Sequence, residues 1–147
     1  MTQRVYCALV HHPVKHRDGS SVSTSVTNLD VHDIARSSRT YGLLGYYVVT
    51  PITAQHAIIQ RILDHWQPGA PGAGRVPQRA EALRLITVTR SIEESVLDIQ
   101  QREGQAPRVW ATGARALPGT PTLSYAEGSR LLREDASVPT LILFGTG

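Results

Sequence analysis

Asn28-Leu29-Asp30-Val31-His32-Asp33-Ile34-Ala35-Arg36-Ser37-Ser38-Arg39-Thr40-Tyr41-Gly42, followed closely by Tyr46-Tyr47-Val48-Val49-Thr50-Pro51, is the stretch on which the reading of the fold turns. Val31, Ile34, Ala35, Ser38 and Tyr41 recur at helical spacing and define one inner stripe, and Gly42 stands where such a helix stops. Tyr46–Val49 is a short, unbroken apolar run of the kind that forms a strand buried on both faces. Helix and strand therefore follow each other within about twenty residues.

The same alternation extends in both directions. Upstream, Val5–Val10 is a second apolar run. Downstream, Thr50-Pro51 is expected to open a helix with proline in its first turn and with Ala54, Ile58, Ile62 and Trp66 on its inner stripe. Pro68–Gly74, with two prolines and three glycines, reads as an exposed, mobile loop, and a short helix near Arg79–Leu85 leads into a strand at Leu85–Thr89. Ser91-Ile92-Glu93-Glu94 and Ser124-Tyr125-Ala126-Glu127 both have the form of a capping box, the first starting a helix that ends near Gly104. Strands at Arg108–Thr112 and Thr140–Phe144 complete the series. Strands separated by helices must pair in parallel, so the expected architecture is an α/β fold: about five parallel strands with helices on both faces, forming a single domain over residues 1–147. Ligands of such sheets bind at the carboxyl ends of the strands, here His11–Pro13, Thr50-Pro51, Thr112–Arg115 and Gly145–Gly147.

Composition narrows the function classes. Apolar residues make up 41% of the 147 and charged residues 18%, the balance of a folded water-soluble chain. No apolar run approaches the length needed to cross a bilayer, and the N-terminus lacks the basic-then-apolar pattern of a secretory leader. Cys7 is the only cysteine, so a cytoplasmic location is expected. The net charge of +3 conceals an asymmetry: residues 1–90 carry ten basic and five acidic side chains, residues 91–147 five and seven.

Within the 28–42 helix, His32, Arg36 and Arg39 fall on one strip beside the apolar face, which suits a grip on successive phosphates; Asp30 and Asp33 stand close enough in sequence to make the same strip an ion-pair lattice instead. Among His11, His12, His16 and His32 no pair falls on a helix at the i, i+4 spacing of helical metal ligands, and no metal site is expected. Gly69-Ala70-Pro71-Gly72-Ala73-Gly74-Arg75-Val76 has the outline of a phosphate loop but lacks its Lys and Ser/Thr, and it follows a helix rather than a strand. Leu141-Ile142-Leu143-Phe144-Gly145-Thr146-Gly147 ends in glycines that let backbone amides approach a ligand.

Val10-His11-His12-Pro13-Val14, the stretch Thr24–Gly42, Tyr47-Val48-Val49-Thr50-Pro51 and Leu143-Phe144-Gly145-Thr146-Gly147 together resemble a bacterial branch of the SPOUT RNA methyltransferases, the 28–42 segment most specifically. The resemblance implies an α/β fold whose C-terminal segment threads a trefoil knot, S-adenosylmethionine bound in that knot, RNA (tRNA or rRNA) as substrate, and a homodimer. It also implies a further stretch beyond the last glycine turn, so the knot-closing segment is expected to be missing here. In the ribose-methylating branch an arginine is followed six residues later by glycine; Arg36 and Gly42 match, while Asp30 stands where that motif begins with asparagine, leaving ribose and base methylation both open. By this resemblance Arg36, Asp30 and Asp33 are the catalytic candidates, Thr112, Gly113, Arg115, Phe144, Gly145, Thr146 and Gly147 the cofactor-binding ones, and His32, Arg36, Arg39 and Arg75 the RNA-binding ones. The alternative expectation is a non-catalytic RNA-binding remnant of the same domain.

Overall fold

A computed structural model describes residues 3–146, so the expectation for Gly147 lies outside the described residues. Five strands, β1 (Val5–Val10), β4 (Gly45–Val49), β5 (Ile86–Thr89), β6 (Arg108–Ala111) and β7 (Thr140–Gly145), form one sheet in the order β5-β4-β1-β7-β6, every neighbouring pair parallel. The central strands β1 and β4 are buried along their whole length, as their unbroken apolar sequences require, whereas the edge strand β6 alternates half-buried with exposed positions.

Helices α1 (Asn28–Thr40), α2 (Thr53–His65) and α4 (Pro77–Leu83) serve one face, where Val31, Ala35, Ile59, Ala82 and Leu83 meet Cys7, Leu9, Tyr46, Val48 and Ile86. On the other face α5 (Ile92–Glu103) sets Ile99 against Tyr6, Ala8, Val10, Tyr47, Val49 and Leu141. Tyr6 donates to Glu103 and Tyr47 to Asp98, each at 2.6 Å, so the buried tyrosines of this face also fasten α5. Helix α6 (Tyr125–Glu134) lies against Trp110, with Gly128 at the contact.

The expected α/β sheet is present, strand for strand. Several local expectations need correction. Pro51 precedes α2 rather than starting it, and Ile52 is the N-cap; the inner stripe is accordingly turned by one position, so Ile59 is buried while Ile58 and Ala54 are exposed. Tyr41 is the C-cap of α1 and stands exposed, outside the stripe. Residues 71–75 form a short helix, α3, with Pro71 in its first turn; Gly72 is buried there because a Cβ would sit 2.8 Å from the backbone oxygen of His65, so the segment is docked rather than loose. The helix expected near 79–85 runs over Pro77–Leu83. Ser91 caps α5 by accepting from the Glu94 amide, but the Glu94 carboxylate takes the Arg90 amide instead of closing the box; the box at Ser124 and Glu127 is complete. A hairpin not foreseen from the sequence, β2 (Val14–Lys15) with β3 (Ser21–Val22), follows β1. Its strands are too short to carry a periodicity.

Candidate functional site at the carboxyl edge of the sheet

Strand β1 sits where the strand order reverses: the chain leaves it for β4 and β5 on one side, and later fills the other side with β6 and β7. In open α/β sheets this is where a ligand crevice forms. At the carboxyl end of β1, His11 is completely buried, and its amide donates to the Val49 carbonyl. Its Nδ1 lies 3.0 Å from the Thr24 hydroxyl, which meets the hydroxyl of Thr146 just past β7; the Thr146 hydroxyl in turn donates to the Val10 carbonyl at 3.2 Å. The Nε2 of His11 is buried with no hydrogen-bond partner. Burial holds its pKa below the ordinary histidine value, with the Asp30 carboxylate working in the opposite direction. Gln55 on α2 reaches the Thr24 carbonyl from the other flank.

Beside this cluster the two segments expected to hold the cofactor lie next to each other. The amide and hydroxyl of Thr112 both donate to the Leu143 carbonyl, at 3.0 and 2.9 Å, tying the end of β6 to β7. Thr112, Gly113, Arg115 and Gly145 are exposed, Thr146 is half-buried, and Phe144 leaves 41% of its surface in solvent although it ends a core strand. Around Gly145 a Cβ would meet nothing, so its backbone is open to approach. An apolar ring, open glycine backbone and threonine hydroxyls are the chemistry that holds an adenosine, and they fit S-adenosylmethionine.

The α1 candidates divide. At about 100° per residue, Asp30 and Arg36 lie about 120° apart on opposite flanks of the buried stripe, and the charge of Asp30 acts on His11. Asp33 and Arg36 are both exposed. No described ion pair joins the strip to Asp30 or Asp33; Arg39 is instead bound to Glu81 of α4. His32 packs edge-on against Trp66, 5.9 Å between centroids, and the Arg79 guanidinium lies 5.5 Å over the same indole. Burial, then the charges of Arg79 and Arg36, depress the pKa of His32, with Asp33 opposing. His32 Nδ1 and Arg79 Nε are both buried without partners. Arg75 is exposed at the end of α3. Sequence reasoning missed Trp66 and Arg79 as site residues, since nothing in their spacing announces that α2 and α4 bring them onto the α1 strip. His11 and Thr24 were missed as a pair, although the position of His11 at the end of a buried strand was a usable signal. Among the described residues no cluster of three His, Cys, Asp or Glu side chains stands close enough to hold a metal ion.

Five parallel strands flanked by helices, with candidate polar groups at their carboxyl edge, make this an α/β domain consistent with a SPOUT-like fold. A family model described as SAM-dependent RNA methyltransferase matches residues 4–147, and the chain belongs to that family. Proteins called tRNA (guanine-N(1)-)-methyltransferase are similar to it: one from Oleidesulfovibrio alaskensis is 46% identical over 98% of this chain, and one from Nitratidesulfovibrio vulgaris is 43% identical over 99%. The chain spans about a third of each, 32% of their length. An uncharacterised protein of Aquifex aeolicus is 35% identical over the whole chain, which covers 70% of it.

Proposed function

We propose that this chain is the methyl-transferring part of an RNA methyltransferase acting on tRNA. The observation that carries the reading is the joining of Thr112 to Leu143 at the carboxyl edge, which sets the 112–115 loop beside Phe144 and Thr146 next to the β1 switch point. S-adenosylmethionine bound there supplies an electrophilic methyl on a sulfonium. The chain's own residues bind and orient it: Thr112, Gly113 and Arg115 on one side, Phe144, Gly145 and Thr146 on the other. RNA lies along α1, where Arg36, with Arg39 and Arg75 at the margins, neutralises phosphates, and His32, its pKa depressed, meets them as an uncharged hydrogen-bonding ring. Arg36 acts as an electrostatic clamp beside the reacting nucleotide, while Asp30 or Asp33 accepts the proton that the attacking atom gives up. The tRNA assignment rests on the names of the two methyltransferase relatives.

The 1–147 unit is taken to work as one domain and as a homodimer, the exposed Leu117, Leu123, Tyr125 and Phe144 offering apolar surface for a second copy. Sedimentation of the purified chain tests the dimer. No described helix is long and apolar enough to cross a membrane; the single buried thiol of Cys7 suits the reducing cytoplasm, where we place the protein. The deciding experiment is calorimetric titration with S-adenosylhomocysteine, followed by transfer of labelled methyl from S-adenosylmethionine to bulk tRNA and to rRNA. Saturable binding and labelling of tRNA are expected. RNA binding without any cofactor binding would replace this reading with the non-catalytic one.

A further inference from the structure

We propose that His11 is a positioning residue of the cofactor site: as a neutral imidazole protonated on Nδ1, it holds the Thr24 hydroxyl, and through it the Thr146 hydroxyl, fixing the turn after β7. The inference rests on the cofactor reading above. Its basis is a count of protons. Thr146 has one hydroxyl proton and a backbone acceptor for it, the Val10 carbonyl at 3.2 Å. The contact between the two threonine hydroxyls is then a hydrogen bond only if Thr24 is the donor. With its proton used, the Thr24 oxygen can only accept from His11, 3.0 Å away, so Nδ1 carries the hydrogen. In this order each bond of the chain His11, Thr24, Thr146, Val10 has one donor and one acceptor, and only the Nε2 lone pair of His11 is left without a partner. The reverse order leaves a buried Nε2–H with no acceptor, and it gives up either the bond between the two hydroxyls or the one from Thr146 to the Val10 carbonyl.

The relay joins three elements that sequence keeps far apart: the end of β1, the segment leading into α1, and the end of β7. Its last hydroxyl belongs to Thr146, next to the open backbone of Gly145. A ligand seated on that turn meets a surface whose geometry is set from below by an imidazole that the ligand does not touch, since His11 has no exposed surface.

Two measurements test this. Histidine ring 15N spectra of the wild-type chain report the tautomer directly, independent of any ligand; the Nδ1–H form is expected for His11, and an Nε2–H form overturns the relay. Titration with S-adenosylhomocysteine then compares wild type with His11→Leu, Thr24→Val and His11→Asn. Loss of one neutral hydrogen bond in the relay is expected to weaken binding about tenfold in the first two. Asparagine, whose amide N–H can stand for Nδ1–H, should recover most of it, a rescue that a merely space-filling role of His11 would not give. Thr24→Val is nearly isosteric and keeps the test valid if His11→Leu unfolds. Wild-type binding that is matched by both of these variants overturns the positioning role. No binding by wild type overturns the cofactor reading itself, and the ring spectra then decide the relay alone.

Discussion

Arg36 and Arg39 are neighbours on one strip of α1, yet their surroundings assign them different values. Arg39 is already neutralised by Glu81, whereas the charges of Arg79 and Arg36 add to burial in depressing the pKa of His32. Arg36→Ala and Arg79→Ala should each reduce the slope of log affinity for RNA against log salt by about 0.7–0.9, with Arg39→Ala causing a smaller change; a filter-binding salt series measures this. Equal effects from all three would mean that Glu81 gives up its partner when RNA arrives. At His11 the consequence is pH dependence. Its folded pKa is lowered by burial, so between that value and the ordinary 6.5 the unfolded chain binds more protons than the folded one. Stability is therefore full above about pH 6.5 and falls as the pH drops through it, by up to about 1.4 kcal/mol per pH unit. His32 adds in the same direction. Urea midpoints at pH 7.5 and 5.5 should separate in wild type and draw together in His11→Asn.

Short segments carried most of what could not be read in advance. Long elements were legible because their period is repeated: β1 and β4 are unbroken apolar runs, and α1 repeats its inner stripe over three turns. The 68–75 segment was not legible, because proline at a first-turn position and glycine at a close contact look from composition alone like a loop. What holds α3 is a tertiary fact, the approach of Gly72 to His65. Gly72→Ala should therefore destabilise the protein by about 1–3 kcal/mol, read from its denaturation midpoint, whereas a free loop would tolerate the change. At α6 the reciprocal bonds of Ser124 and Glu127 hold the first turn of a helix whose main described contact is with Trp110. Ser124→Ala should cost about 1 kcal/mol, visible first as faster amide exchange over residues 125–128.

Across the whole molecule the arrangement of the sheet was legible only in part. Alternating helices and strands imply parallel pairing, but no periodicity in the sequence says that β7 inserts between β1 and β6, and that insertion is what brings Thr146 to His11. The cofactor loops could be proposed from strand ends; the relay beneath them could not. The exposed stretch is now residues 112–125, so trypsin should cut first at Arg115, and cleavage at Arg75 ahead of it would contradict the docking of α3. The pairing of β1 with β7 joins residues about 135 apart, Val5 with Thr140 and Val10 with Gly145. During synthesis β1 leaves the ribosome before its partners, with a neighbour on only one side once β4 has followed it, and its other row of amides and carbonyls waits for β7. Completion of this sheet is thus tied to β7, the last of its five described strands to be made, and until then the nascent domain offers chaperones a central strand with one unsatisfied edge.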